Sequence, residues 1–237
     1  MNLEKFLDPQ RKPLRILDGI PSFASEASGE DEKWNLFYDK FAPFYSLTER
    51  LFGRLLVGVD VELEHEKIVA TAGFQEGGAI LEVSPGPGNY QPALRRRIGP
   101  DGTLVSLDLS LGMLQACRKR KDYAALKPLL VHGNGSDLPF QDGIFDGFFH
   151  VGGINLFSEP GKALAEFARV VKKGGVIAIG DEGFGPGHPE GFRREILTRM
   201  NPGYLKSKVP DLPEPLEKRD LHWFFKGCLY LLTAVKK

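Results

Sequence analysis

Cysteine is scarce in this chain, with two in 237 residues, Cys117 and Cys228. They stand far apart, which excludes both a Cys-x-x-Cys metal site and a disulfide framework; buried thiols in a reducing compartment are expected, and with them a cytoplasmic location. Surplus charge is missing too. Thirty-one Lys and Arg balance thirty-one Asp and Glu, so no overall positive field gathers phosphate backbones, and nucleic acid is not an expected partner. Long apolar runs are also lacking. The N-terminal MNLEKFLDPQRKPLRILDG carries charge and proline where a secretory leader needs an apolar core, and the run near the C-terminus is interrupted by Lys226, so neither a leader nor a membrane span is expected. No internal repeat or low-complexity tract stands out. The length fits one α/β domain with a modest extension.

What is present is organised around Ala79 to Asp108, AILEVSPGPGNYQPALRRRIGPDGTLVSLD. The apolar run Ala79 to Val83 has the length of a buried strand and breaks into Ser84-Pro85-Gly86-Pro87-Gly88, where neither helix nor strand continues. Leu94 and Ile98 then fall four apart with arginines between them, as on an amphipathic helix, and Leu104 to Leu107 reads as a second strand ending at Asp108. Gly86 and Gly88 let the backbone turn sharply beside a ligand, close to the free N–H groups of a helix start. Asp108, twenty positions beyond Gly88, is placed to accept from vicinal ribose hydroxyls. The unit is expected to bind an adenosine-containing cofactor. A dinucleotide fingerprint needs a third small residue, but Gln91 stands three after Gly88, which disfavours nicotinamide chemistry.

Glu82-Val83-Ser84-Pro85-Gly86-Pro87-Gly88 resembles the class I S-adenosylmethionine methyltransferase motif, with Ser84 in place of the usual first glycine. Four further stretches, YDKFAPFYSLTERL, GNGSDLPF, FDGFFHVGGINLF and EFARVVKKGGVIAIGDE, resemble the UbiE-like methyltransferases. The resemblance covers roughly Trp34 to Lys237. It implies an α/β fold with a Rossmann-like seven-stranded sheet, mostly parallel with an antiparallel last strand, helices on both faces and an N-terminal helical cap. Residues 34–237 would form the methyltransferase domain, including a cap over 34–73, and residues 1–33 an irregular arm. Within that arm LRILDGIPSFAS resembles the end of a small zinc-binding module that precedes some bacterial methyltransferase domains, without its cysteines.

The resemblance also implies the cofactor, S-adenosylmethionine, with S-adenosylhomocysteine as product and no metal. Glu82 would help place the methionine amino group, with Ser84, Gly86 and Gly88 under the cofactor and Asp108 on the ribose. Leu109 and Met113 would flank the adenine, and Asn134 with Gly135 would meet its edge, Asn134 standing where the family carries an acid. Aromatic residues ahead of the glycine turn would close over the site, with Tyr38 and Tyr45 as candidates. In open parallel sheets ligands sit beyond the carboxyl ends of the strands, so His150 to Asn155 should face the reacting centre. His150 is the first candidate for a general base; His188 and His222 are weaker ones. The expected partner is a small, apolar or aromatic methyl acceptor, methylated on carbon or oxygen. A protein that binds the cofactor without transferring its methyl group, as a sensor or accessory subunit, is the alternative.

Overall fold

The computed structural model describes residues 2–24, 39, 42–201 and 203–237. Tyr38 and the start of the expected helical cap lie outside the described residues. In chain order the strands are β1 (Arg15–Leu17), β2 (Ile20–Ser22), β3 (Ala79–Val83), β4 (Thr103–Asp108), β5 (Leu129–His132), β6 (Phe145–Val151), β7 (Val171–Glu182), β8 (Leu216–Phe224) and β9 (Leu229–Lys236). They form one sheet in the order β1-β2-β5-β4-β3-β6-β7-β9-β8. The five strands β5-β4-β3-β6-β7 run parallel, and β9 enters antiparallel between β7 and β8. That is the expected seven-stranded plan with two strands added.

The added pair corrects the reading of the arm as irregular. Asp18 and Gly19 adopt φ of 49° and 76°, the two-residue turn whose twist suits a hairpin, and β1 folds back on β2 across it. Ser22 then pairs in parallel with His132 at the end of β5. Three prolines in the arm hid strands of only three residues each. Farther up, Phe6 stacks on Phe145 with ring centroids 5.2 Å apart, and Arg11 grips Asp137 through two bonds of 2.6 and 2.8 Å. The arm is thereby fastened to the Asn134–Gln141 loop.

Ahead of the sheet, a 3-10 turn over Ala42–Phe44, which holds Pro43, leads into the helix Tyr45–Phe52, so the proline falls at a helix start. The helix Val61–Ala72 begins on Asp60, whose side chain accepts from Leu63 N, and ends on Gly73 at φ 75°. Pro92 occupies the first turn of Gln91–Ile98, where its missing N–H costs nothing. The helix Pro160–Val170 stops one residue sooner than its apolar spacing implies. Val171 already pairs with Phe145, and Lys172 to Gly175 loop out of the ladder with Gly174 at φ 78° before Val176 rejoins it.

Both faces of the sheet are buried. Leu81, Leu107, Val131 and Phe148 pack with Phe145 and Phe167 on one face, while Ile80, Leu104 and Phe149 pack with Ile68, Leu94 and Ile98 on the other. Such two-sided burial is why β3 to β6 read as near-continuous apolar runs. Cys117 and Cys228 are both buried and free.

Candidate functional site

A cavity of about 410 Å³ opens at the carboxyl ends of β4, β3, β6 and β7, where β3 and β6 are paired at the centre of the sheet. Its floor is the turn after β3. Ser84 holds φ 58°, Gly86 56° and Gly88 83°, so three alternating residues take the left-handed conformation that glycine tolerates and serine enters only under strain. Ser84 N donates to Leu107 O at 2.8 Å, which pins the turn to β4. The helix Gln91–Ile98 follows directly, aiming its first N–H groups toward the turn.

Asp108 ends β4 and reaches both sides of the floor. One carboxylate oxygen accepts from Gly86 N at 3.0 Å, the other from Ser110 N at 2.9 Å. Burial raises its pKa to about 6, opposed by those backbone donors. Each oxygen keeps a lone pair for a ligand hydroxyl. Ser110 caps the helix Leu111–Arg118 through Met113 N and donates to Asp39 at 2.6 Å, while Gly112 N donates to the same Asp39 oxygen at 2.8 Å.

Of the residues expected at the cofactor, Ser84, Gly86, Asp108, Leu109, Met113, Asn134 and Gly135 line the cavity, as does Tyr45. Asn134 spends one side-chain lone pair on Ser136 N at 2.8 Å. A Cβ on Gly135 would stand 2.8 Å from the Phe157 ring, so only glycine fits there. Glu82 and Gly88 are not among the lining residues. Glu82 lies beneath the floor, accepting from Ser106 Oγ at 2.7 Å and Gln91 Nε2 at 3.2 Å, and burial raises its pKa to about 7. Gly88 makes room for that same Gln91, whose Oε1 would be 2.7 Å from any Cβ. Gln91 also accepts from Cys117 Sγ at 3.2 Å. The residue that breaks the dinucleotide pattern is thus the bracket under the turn.

His150 is displaced from its expected place. It is fully buried, its Nδ1–H donates to Val83 O at 3.0 Å, and its Nε2 has no partner among the described residues. Burial lowers its pKa, so the ring is neutral. Its ring meets Phe157 edge-on at 5.5 Å, and it is Phe157 that lines the cavity. The rings of Phe157 and Phe167 pack against His150 on the sheet face it shares with Val83. His188 packs on Phe184 and His222 lies against Phe224, neither lining the cavity.

Two acids at the end of β7 complete the lining, Asp181 and Glu182, together with Asn155 and Ser207. Asn155 lies in the stretch expected to face the centre. The acids were overlooked, although an Asp-Glu pair closing a predicted parallel strand is a visible signal.

Residues 81–179 match the model of a family described as a methyltransferase domain. Over 158 residues, 65% of this chain and 61% of the relative, the sequence is 30% identical to a demethylmenaquinone methyltransferase of Symbiobacterium thermophilum. A counterpart from Staphylococcus aureus is 33% identical over 113 residues, 47% of this chain and 46% of that one. The chain spans about three fifths of the length of the first curated relatives it matches. A SAM-dependent methyltransferase from Aquifex aeolicus superposes with TM-score 0.57 at 22% identity, covering 74% of this chain and 92% of its own. The geranyl diphosphate C-methyltransferase of Streptomyces coelicolor A3(2) gives 0.64 at 12% identity, covering 90% and 100%. At these identities the two structures speak for the fold. The matched segment runs from the middle of β3 through most of β7, and so contains Asp108, Asn134 and Gly135 but stops short of Asp181 and Glu182.

Proposed function

We propose that this chain is an S-adenosylmethionine-dependent methyltransferase acting on a small, apolar or aromatic molecule. The observation that carries the reading is Asp108, a buried carboxylate on the cavity wall, bonded at once to the turn after β3 and to the start of the next helix. The donor set suits the cofactor. Asp108 offers acceptors to ribose hydroxyls, Leu109 and Met113 offer apolar edges to the adenine, and Gly135 leaves the backbone open where a side chain would collide with Phe157. A cavity of about 410 Å³ falls within the range of small-molecule sites. Glu82, under the floor, serves the turn through Ser106 and Gln91.

The sulfonium of S-adenosylmethionine supplies an electrophilic methyl group and its own leaving group. What remains for the protein is binding, alignment and exclusion of water, and alignment alone is worth on the order of 7 to 11 kcal/mol. Tyr45, Val151, Leu156, Phe157 and Met200 supply an apolar wall for the acceptor. The names of the curated relatives make demethylmenaquinone the first acceptor to assay.

The test is titration calorimetry with S-adenosylmethionine, S-adenosylhomocysteine and NAD, followed by transfer of radiolabelled methyl to demethylmenaquinone and other apolar acceptors. Both sulfur compounds should bind and NAD should not. Asp108→Ala removes hydrogen bonds to a charged group and should weaken both by roughly 10- to 100-fold. A folded protein that binds neither sulfur compound refutes the reading.

A further inference from the structure

Asp108 stands at one end of the cavity; Asp181 and Glu182 stand at the other, three inter-strand steps away, or about 14 Å. Four N–H donors converge on Asp181. Gly153 N and Glu182 N reach Oδ1, both at 2.9 Å, while Asn155 N at 3.1 Å and Asn155 Nδ2 at 2.7 Å reach Oδ2. Four N–H donors favour the charged carboxylate over the neutral acid, so Asp181 is held ionised. Glu182, half-buried on the cavity wall, hydrogen-bonds through its carboxyl to Asp181. Two touching carboxyls do not both ionise, and with Asp181 fixed as the anion the shared proton belongs to Glu182.

The surroundings keep it there. Glu49 comes in from the helix Tyr45–Phe52 and adds negative charge. Tyr90 from the turn after β3, Tyr204 from the helix Gly203–Lys206 and Tyr230 from β9 are neutral phenols, held above their ordinary range by burial. Among the described residues neither Asp181 nor Glu182 is ion-paired to Lys, Arg or His. Burial and the Asp181 charge both raise the pKa of Glu182, whereas Asp181, despite its burial, is lowered by its donors.

We propose that Glu182 is the proton acceptor for the methyl acceptor, and that it becomes one only when a cation enters the cavity. The inference rests on the methyltransferase reading. In the cavity without a cation Glu182 keeps the shared proton. A bound sulfonium stabilises the second carboxylate, and the proton leaves to solvent. In turnover, the acceptor's proton passes to Glu182; the electron pair that held it makes the bond to the methyl carbon, and the pair of the breaking carbon–sulfur bond stays on sulfur. Once the sulfur is neutral, Glu182 again holds a proton. The acceptor class follows: a molecule that must give up a proton, such as a phenol, an enol or a hydroquinone carbon.

The test is calorimetry on the full chain at pH 6.5, with S-adenosylmethionine and S-adenosylhomocysteine each titrated in phosphate and in imidazole, whose ionisation enthalpies differ. The two ligands share their nucleoside and amino-acid parts, so any difference in protons released reports the sulfonium charge. The charged ligand should release about 0.5 to 1 proton more than the neutral one. Glu182→Gln should bind both and abolish the difference. Asp181→Asn, which frees Glu182 to ionise in the unliganded protein, should abolish it too, and serves if the first variant does not fold. Equal proton release by both ligands in the unaltered protein overturns the proposal. Binding of neither ligand overturns the methyltransferase reading, and the proposal with it.

Discussion

Glu82 shows how much one buried side chain can impose on a site it does not touch. Its folded pKa of about 7 lies above the ordinary 4.5, so between these values the folded protein holds a proton that the unfolded chain has released. Stability from this group therefore falls as pH rises from 4.5 to 7 and is level above, a loss of about 3 kcal/mol for a shift of this size. Asp108, raised to about 6, slopes the same way over a lower window. Glu82→Gln keeps acceptors for Ser106 and Gln91 while removing the charge. Urea denaturation at pH 5 and pH 7.5 should show the slope flattened and the variant more stable than the unaltered protein at the higher pH. Legibility at this scale followed chemistry that depends on spacing alone. Asp108 could be read from its distance to Gly88, because a strand, a turn and a helix have nearly fixed lengths. His150 misled because its strand end was right but Phe157 and Phe167 pack against its ring. Glu82 resembled a ligand because motif spacing does not say that Ser106 and Gln91 hold its carboxyl beneath the turn.

Among the elements, the N-terminal hairpin has the longest reach. Ser22 Oγ–H donates to His132 Nδ1 at 2.7 Å, and His132 Nε2–H donates to Leu109 O at 2.9 Å. One buried imidazole, kept neutral by its burial, thus couples β2 to the backbone that edges the expected adenine position. Replacing His132 by Ala leaves a buried hydroxyl and a carbonyl unpaired. It should cost about 2 to 3 kcal/mol in denaturation and weaken S-adenosylhomocysteine several-fold by calorimetry. Arg11→Ala severs a half-exposed ion pair on the same arm and should cost under about 1 kcal/mol with affinity unchanged. The hairpin was the part of the fold least legible in the chain. Asp18-Gly19 is a strong turn signal, but strands of three residues carry no measurable alternation, and pairing with residue 132 is a long-range event that local pattern does not encode. The helices and β3 to β7 were legible because burial on both faces writes itself into apolar runs of the right length.

On the scale of the molecule, the strand order places Asp108 and the Asp181–Glu182 pair on one crevice although 73 residues separate Asp108 from Asp181. Apolar pattern alone supplies strands without their order; likeness to a family implied a mostly parallel sheet with an antiparallel last strand, and the structure supplies the order. No helix among the described residues is long and apolar enough to cross a membrane. A sheet of nine strands still has two unpaired margins. One is β1, three residues long. The other is β8, where Glu217, Lys218, Arg219 and Asp220 are exposed and the pairing slips between Lys218 and Asp220. A short margin and a charged, kinked one give a neighbouring copy nothing to extend. Lys218→Val with Arg219→Thr should leave the fold intact yet make light scattering rise with protein concentration. The four charges on that outer strand, remote from the cavity, oppose growth of the sheet across molecules.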